Sequence, residues 1–213
     1  ARTGTSSRQT RQRQGRDIEQ PVEVTLEEAY QGASRLLNFE SEQACPSCSG
    51  TGRIQKVMCS VCRGSGVVAG MKQLEVKIPP GVKDGSRVRI AGKGEPGLGG
   101  GNSGDLYLVI SVKPHHLFER KDDDLYVDVP VPLTLAVLGG EVQVPTLKGK
   151  LALKIPPETQ NGRAFRLAGQ GMPHLRGSSR GDLLAKVKVV LPTELSHDEK
   201  KLFEQLSHLR PIS

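Results

Sequence analysis

The feature that most constrains the fold is an internal repeat that occupies most of the 213 residues. Residues 77–112 align without a gap onto residues 154–189, and 16 of these 36 positions are identical. Further matches lie upstream, where residues 17–32 align onto residues 124–139. The two offsets, 77 and 107, differ by 30, so the first copy carries a 30-residue insertion between Gly32 and Lys77. We therefore expect two copies of one fold, with an additional element in the first copy.

Each copy carries the pattern of short β-strands. Apolar and polar residues alternate at 74–78, 106–112 and 183–189, which predicts strands with one buried face. Short apolar helices that end at a glycine are predicted near 26–30 and 133–138. The 25 glycines and 14 prolines favour turns over long helices. The sequence thus predicts a mainly β protein with two tandem homologous small domains, each a β-sandwich or barrel-like fold.

Four cysteines within the insertion form two Cys-x-x-Cys pairs, Cys45 with Cys48 and Cys59 with Cys62. Each pair continues as Cys-x-x-Cys-x-Gly-x-Gly, and the glycines let the chain fold back so that backbone N–H groups point at the sulfurs. Two such turns supply four thiolates in the tetrahedron that Zn²⁺ prefers. Four protein ligands leave no open position, so we predict one structural zinc ion per chain. Metal binding should supply most of the folding free energy of this short module.

Three alternatives for the cysteines remain open at this level. Disulfide bonds would call for an export signal, and the N-terminal residues hold no apolar segment. A redox pair is disfavoured because two symmetric copies occur without a βαβ pattern. Buried free thiols are disfavoured because the neighbouring residues are Gly, Ser and Arg.

The formal net charge of +7 comes mostly from the N-terminus. Residues 1–16 hold five arginines and no acid, which leaves +2 for the remainder, so we expect a basic flexible linker at 1–16. A nucleic-acid-binding zinc protein that uses this tail is the alternative function, although 3% aromatic residues offer little base stacking. No apolar run approaches the ~18 residues of a membrane span, so we expect no membrane association and a cytoplasmic location.

The C-terminal segment has the pattern of an amphipathic helix. Ser196 and Glu199 fit a capping box at its start, and Pro211 would end it. The pattern alone allows this helix to fold back on the second domain or to pair with a second subunit. The apolar stripe consists of Leu202, Phe203, Leu206 and Leu209.

These motifs together resemble the DnaJ co-chaperone family. The resemblance rests on the cysteine motifs, on Gly-Asp-Leu at 104–106 and 181–183, on Thr-Leu-Glu-Glu-Ala at 25–29, and on Gly139-Gly140. It implies a non-enzymatic co-chaperone that binds exposed apolar segments of unfolded proteins, prevents their aggregation and delivers them to a DnaK-type ATPase chaperone. It also implies a homodimer formed through the C-terminal helix.

The resemblance implies domain boundaries and a client groove as well. Domain I would occupy 17–114 with the zinc module at about 41–70, domain II 115–192, and the dimerisation helix 193–213. In the family, a client lies as an added strand on the first domain, with its side chains in an apolar groove. The positions that match this groove are Ile18, Val22, Leu37, Phe39 and Phe118.

Two departures from the family pattern limit what carries over. The long form of the family has four cysteine motifs and two zinc ions, whereas this sequence has two motifs and room for one zinc. The J-domain with its His-Pro-Asp motif does not occur in these 213 residues, so we do not expect this chain alone to stimulate the ATPase. The five histidines form no evident catalytic constellation, and we expect no enzymatic activity.

Overall fold

The computed structural model describes residues 12–97, 101–175 and 177–210. The chain divides into two compact units, residues 1–115 and 116–213. With 45% strand and 13% helix, the prediction of a mainly β protein is confirmed. Most of the predicted basic linker, residues 1–11, lies outside the described residues. Within the described parts of the chain, no helix is both long and apolar enough to cross a membrane.

The described residues of the first unit form three sheets and one short helix. A three-stranded sheet has the order β1-β7-β6, with β1 parallel to β7, and two antiparallel hairpins pair β2 with β5 and β3 with β4. A Thr25–Glu28 capping box begins the helix. The elements are β1 (Ile18–Val24), α1 (Leu26–Gln31), β2 (Ala33–Ala44), β3 (Arg53–Ile54), β4 (Val57–Met58), β5 (Val67–Ile78), β6 (Arg87–Ile90) and β7 (Leu106–Val112).

The second unit repeats this plan. A four-stranded sheet has the order β12-β13-β9-β8, and a separate antiparallel hairpin pairs β10 with β11. The predicted capping box at Ser196 and Glu199 is confirmed as the start of the C-terminal helix. The elements are β8 (Phe118–Lys121), β9 (Asp124–Pro132), α2 (Leu133–Leu138), β10 (Gly140–Thr146), β11 (Gly149–Ile155), β12 (Ala164–Leu167), β13 (Leu183–Val190) and α3 (His197–Leu209).

The strand registers locate the insertion in the first copy. Ala33 pairs with Ile78 in the β2–β5 hairpin, and the aligned residues Gly140 and Ile155 pair in the β10–β11 hairpin. The β10–β11 ladder ends at Thr146 and Gly149, whose counterparts Phe39 and Lys72 are also paired. Residues 40–71 therefore stand where the second copy has only the two turn residues 147 and 148. The insertion lengthens the hairpin and then adds the cysteine module at its end.

The repeated Gly-Asp-Leu motif has a structural explanation. The Asp105 carboxylate accepts hydrogen bonds from the Gly92 N–H at 2.8 Å and the Arg89 side chain at 2.6 Å. Its own N–H donates to the Asp17 side chain at 2.7 Å. The second copy makes the same contacts with Asp182, Gly169, Arg166 and Asp124. These bonds fasten the loop after β6 or β12 to the strand that follows it.

Each unit buries its apolar residues along the parallel strand pair. The buried side chains of β1 and β7 alternate with exposed ones, as do those of β9 and β13, which is the pattern of sheets with one covered face. Among the described residues each sheet is open at its edges, so neither unit is a closed barrel. The fully buried aliphatic residues include Val24, Leu106 and Leu108 in the first unit and Leu125, Val131 and Leu183 in the second.

Candidate metal centre and binding surfaces

The four cysteine sulfurs converge on one point at the end of the long hairpin. The Sγ atoms of Cys45 and Cys59 lie 3.9 Å apart, those of Cys48 and Cys62 lie 3.7 Å apart, and all four are within 4.8 Å of one another. A tetrahedral Zn²⁺ with bonds of about 2.3 Å would hold its sulfurs about 3.8 Å apart. A disulfide needs about 2.0 Å, so the sulfurs are not bonded in pairs. The four buried cysteines fit a four-coordinate structural metal site.

The same hydrogen bonds build both cysteine turns. The Gly52 N–H donates to Cys48 Sγ at 3.2 Å, and the Gly66 N–H donates to Cys62 Sγ at 3.3 Å. The turns are also joined to each other, because the Cys45 N–H donates to the Gly66 carbonyl at 2.8 Å and the Cys59 N–H to the Gly52 carbonyl at 2.9 Å. Each cysteine turn therefore depends on a backbone hydrogen bond with the other turn.

Gly52 and Gly66 are required by both conformation and space. Their φ angles are +73° and +80°, which side chains rarely adopt. A Cβ atom at Gly52 would lie 2.5 Å from the Gly64 carbonyl oxygen, and one at Gly66 would lie 2.5 Å from the Gly50 carbonyl oxygen. The close approach of the two turns thus depends on the second glycine of each motif.

The thiols differ in acidity because their surroundings differ. Burial by itself would raise the pKa of the Cys62 thiol, but hydrogen bonds, first among them that from the Gly66 N–H, outweigh burial and lower the pKa to about 7. Burial raises the pKa of the Cys45 thiol. A metal ion binds thiolates, so the N–H donors favour the form that the site needs.

Four of the five predicted groove residues lie in the first unit. Leu37 and Phe39 lie on the same face of the β2–β5 hairpin. Leu74 of β5, which pairs with Leu37, lies on that face as well. On β1, Ile18 and Val22 also share one face. Ile18 and Leu37 are half-buried, whereas Val22 and Phe39 are buried and act as core in this conformation. The pair that a ligand can reach without rearrangement is therefore Ile18 and Leu37.

Phe118 lies elsewhere. It is a buried residue of β8 in the second unit, where it pairs with Val127 of β9. The structure thus does not place it in the unit that holds the other four groove positions. Spacing along the chain did not signal this, because Phe118 is only three residues past the division between the units.

The apolar stripe of α3 is uncovered. No residue of this helix is buried; Leu202, Leu206 and Leu209 are exposed, and Phe203 is half-buried. The structure therefore does not use the stripe to fold the helix back onto its own unit. An amphipathic helix with an uncovered apolar face is available to a partner.

Sequence reasoning missed an apolar pocket of about 320 Å³ in the second unit. It lies where β9 meets α2 and where β13 ends. The first copy has polar residues where the second has Pro130, Val190 and Pro192, and these pair as Lys113 with Glu23 and His115 with Glu27, each at 3.0 Å. Comparison of the two copies position by position is the signal that would have found the pocket. Its lining residues are Pro130, Pro132, Leu133, Thr134, Val190, Leu191 and Pro192.

Comparison with known proteins decides the family. The model of the DnaJ C terminal domain matches residues 18–192, which include the cysteine module and every described strand of both units. The chain belongs to the DnaJ family. The relatives described next are named as DnaJ chaperone proteins.

Three DnaJ relatives illustrate the extent of the match. "Chaperone protein DnaJ" of Opitutus terrae is 40% identical over 234 residues, covering 92% of this chain and 61% of the relative. That of Vesicomyosocius okutanii is 48% identical over 170 residues, covering 80% and 47%. "Chaperone protein DnaJ 2" of Aquifex aeolicus is 40% identical over 249 residues, covering 97% and 66%. The chain thus spans less than two thirds of the length of these curated relatives.

The length of the alignments also bears on the cysteine module. The match to the Opitutus terrae protein extends over 234 positions, more than the 213 residues of this chain. The relative therefore holds residues within the aligned region that this chain lacks. The shortened cysteine module that the family resemblance implies, with two motifs in place of four, agrees with that difference.

Proposed function

We propose that this chain is the client-binding part of a DnaJ-type co-chaperone, which holds exposed apolar segments of unfolded proteins and limits their aggregation. In the intact protein the client would pass to a DnaK-type ATPase chaperone. The proposed role is binding, without bond making or breaking. Reduced thiols at the metal centre are in keeping with action in the cytoplasm.

The observation that carries this proposal is the open edge of β2 beside an accessible apolar side chain. Among the described residues β2 pairs only with β5, so its other edge presents unpaired backbone N–H and C=O groups. An extended client can add to such an edge by backbone hydrogen bonds, which depend little on client sequence. Leu37, half-buried on the same strand, offers an apolar contact for the client side chains.

The metal of the cysteine centre is proposed to be Zn²⁺, one per chain, with Cys45, Cys48, Cys59 and Cys62 as ligands. Four sulfur ligands in tetrahedral spacing are typical of structural zinc. When bound, the ion would join the two cysteine turns and supply the folding free energy that so short a segment cannot obtain from an apolar core.

A homodimer is proposed through α3 and the apolar pocket of the second unit. Each chain offers the uncovered apolar stripe of α3 and this apolar pocket, so two copies can exchange the same contact in a two-fold arrangement. The first unit would not accept an apolar helix in this way, because its corresponding surface carries the ion pair Lys113–Glu23 and the hydrogen bond between His115 and Glu27.

Substitution of Leu37 tests the client groove. We expect Leu37→Gln to weaken binding of a labelled apolar unfolded peptide about tenfold, because it removes an apolar contact of about 1.5–3 kcal/mol. Fluorescence anisotropy would measure the dissociation constant, and circular dichroism would verify that the variant is folded. Leu36→Gln is the matched control, since Leu36 is 59% exposed on the opposite face of the same strand. A folded Leu37→Gln variant with unchanged affinity would refute the groove.

A further inference from the structure

We propose that residues 13–16 form a strap that couples the N-terminal segment of the chain to the base of the long β2–β5 hairpin. The strap is held in a clasp, which consists of residues 93–97 and 101–104 between β6 and β7. Release of the strap loosens the hairpin below the cysteine turns, and loosening of the hairpin releases the strap. The coupling involves no client, so it goes beyond the function proposed above.

The clasp holds the strap by backbone hydrogen bonds. The Glu95 N–H donates to the Arg16 carbonyl at 3.0 Å. The Gly15 N–H donates to the Asn102 carbonyl at 2.8 Å. The clasp is itself closed by a bond from the Gly104 N–H to the Glu95 carbonyl at 3.0 Å. The strap therefore lies between two segments that are bonded to it and to each other.

Glycine is required where the strap and the clasp meet. A Cβ atom at Gly15 would lie 1.9 Å from the Glu95 carbonyl oxygen. A Cβ atom at Gly101 would lie 2.1 Å from the Arg13 carbonyl oxygen. Both distances are far below van der Waals contact, and both neighbours are backbone atoms that cannot swing aside as a long side chain can. A side chain at either position would therefore open the clasp.

The second copy closes the same clasp around Asp123, the counterpart of Arg16. The Met172 N–H donates to the Asp123 carbonyl at 2.8 Å, and the Gly181 N–H donates to the Met172 carbonyl at 2.9 Å. These bonds correspond to those that Glu95 makes in the first copy. The clasp at this point is thus part of the scaffold that both copies share.

The first copy extends the clasp to residues 13–15. The second copy has Asp122 and Ser178 where the first has Gly15 and Gly101. The shared fold therefore does not need glycine at these two positions. The close approach that the two glycines permit occurs in the copy that carries the 30-residue insertion.

The clasp contacts the base of the hairpin through Lys72. This residue pairs with Phe39 in the last step of the ladder that both copies share. Its ammonium group donates to the carbonyls of Lys93 and Gly94, each at 3.4 Å. The second copy has Gly149 at this position, which offers no side chain for such a contact. The clasp thus supports the hairpin at the point where the insertion begins.

The strap lies beside the hairpin just beyond that point. Arg13 and Arg16 line a cavity of about 370 Å³ together with Glu42 of β2 and Val67 of β5. The arginines of the strap and the carboxylate of Glu42 have opposite charges, which favours this arrangement. Displacement of the strap therefore exposes this part of both strands to solvent.

Amide hydrogen exchange of the chain loaded with Zn²⁺ tests the coupling. In Gly15→Ala the added Cβ atom should force the strap out of the clasp, and trypsin should then cleave after Arg13, a bond that the clasp protects. We expect residues 40–44 and 67–71 to exchange about fivefold faster, the size of effect that loss of one hydrogen bond produces. Gln14→Ala is the matched control, because Gln14 is an exposed residue of the same strap. The zinc content of both variants should equal that of the unaltered chain.

Truncation gives a second test that does not depend on a steric clash. Removal of residues 1–15 leaves the clasp around Arg16 and should accelerate exchange in the same two segments. Removal of residues 1–11 keeps the strap and should leave the exchange unchanged.

The coupling must also act in the reverse direction, because a coupling free energy between two sites is reciprocal. Removal of the metal with a chelator should therefore speed trypsin cleavage after Arg13 by a similar factor, about fivefold. Cleavage of Gly15→Ala should not respond to the chelator, since its strap is already released.

The outcomes decide between a coupled and an independent strap. Faster exchange in Gly15→Ala and in the chain without residues 1–15, together with faster cleavage of the metal-free chain, supports the proposal. Continued protection of the Arg13 bond in Gly15→Ala would overturn the clasp. Cleavage after Arg13 without faster exchange in the hairpin would overturn the coupling. Neither of these negative results bears on the binding of clients at β2.

Discussion

Single glycines decide whether the two cysteine turns can close on one metal. Gly66 has a φ of +80°, and a Cβ atom there would lie 2.5 Å from the Gly50 carbonyl oxygen. Its N–H also donates to Cys62 Sγ. A residue that ligates nothing thus controls both the spacing of the turns and the acidity of one ligand.

We predict that Gly66→Ala lowers metal affinity about tenfold or more, since loss of a bond to a metal ligand has effects of about 10- to 100-fold. Competition with a chromogenic chelator would measure it. Gly85→Ala is the control, because Gly85 has a similar φ of +75° but no atom lies within 4 Å of its added Cβ. Equal metal affinity in the two variants would contradict the role of Gly66.

The aspartate of each Gly-Asp-Leu motif, Asp105 or Asp182, contributes to the stability of the fold in a way that depends on pH. The Gly169 N–H and, after it, the Arg166 side chain hold the pKa of Asp182 below its ordinary value of 3.8. A carboxyl whose folded pKa is lowered stabilises the fold above its unfolded pKa, and the contribution disappears as pH falls through the folded pKa. Asp105 has the same partners in the first unit, first the Gly92 N–H.

We therefore predict that Asp182→Asn melts at a lower temperature than the unaltered chain at pH 7, and that the difference vanishes in strong acid. Thermal melts followed by circular dichroism from pH 7 to pH 2 would check this. Asp105→Asn should behave in the same way for the first unit. A melting difference that stays constant across the range would show that the carboxylate charge is not involved.

At the scale of elements, the β2–β5 hairpin corresponds to the β10–β11 hairpin with residues 40–71 added at its end. We call these added residues the arm. The ladder as far as Phe39 and Lys72 has the same register in both copies, and everything from residue 40 to residue 71 lies beyond it. The arm has its own support, because the metal ligands and the hydrogen bonds between the two turns all lie within residues 45–66. The two parts of the hairpin are therefore separable.

We predict that replacement of residues 40–71 by an Asn-Gly turn leaves a folded chain that binds no metal, because the remaining ladder can close as β10–β11 does. Circular dichroism and metal analysis would test this. The unaltered chain treated with chelator is the comparison, and it should keep its sheet signal while the arm loses structure. An excised chain without the β-sheet signal in circular dichroism would contradict the separation.

At the scale of the whole molecule, the second unit differs from the first in what its surface can accept. The end of β13 continues as Val190-Leu191-Pro192, whereas the first copy continues from β7 through Lys113 to the His115 that pairs with Glu27. Among the described residues, this apolar pocket and the uncovered stripe of α3 both belong to the second unit. The two copies thus share a scaffold and differ in this surface, and the proposed dimer uses the apolar one.

We predict that Leu206→Asp shifts the chain from dimer to monomer, because a charge buried in the contact lacks a partner; the dimer should weaken about 100-fold or more. Light scattering after gel filtration would measure the mass. Leu191→Asp in the pocket should have the same effect, and Gln205→Asp on the exposed side of α3 should have little. A monomeric unaltered chain, or a dimer that tolerates both leucine substitutions, would refute the arrangement.

Local features were predictable because neighbouring residues produce them. The alternation in β7 and β13, the apolar helices that end at Gly32 and Gly139, and the Ser196–Glu199 capping box all appear where the sequence placed them. The convergence of four cysteines also follows from short spacing, since each turn brings two sulfurs together within four residues. The gap-free repeat extended these local patterns to a complete plan for both units.

The exposure of each side chain could not be predicted from the sequence in the same way, because it depends on residues far away in the chain. Val22 is buried by its place beside Ile110 of β7, and Phe118 by its pairing with Val127, so these predicted groove positions are core in the folded chain. Leu37 stays half-buried although the same apolar pattern describes it. The sequence by itself determined the elements, the duplication and the convergence of the four cysteines, since short-range sterics and spacing control them. Only the tertiary structure decided which apolar side chains are left for a client or a partner, since burial is a property of packing between distant strands.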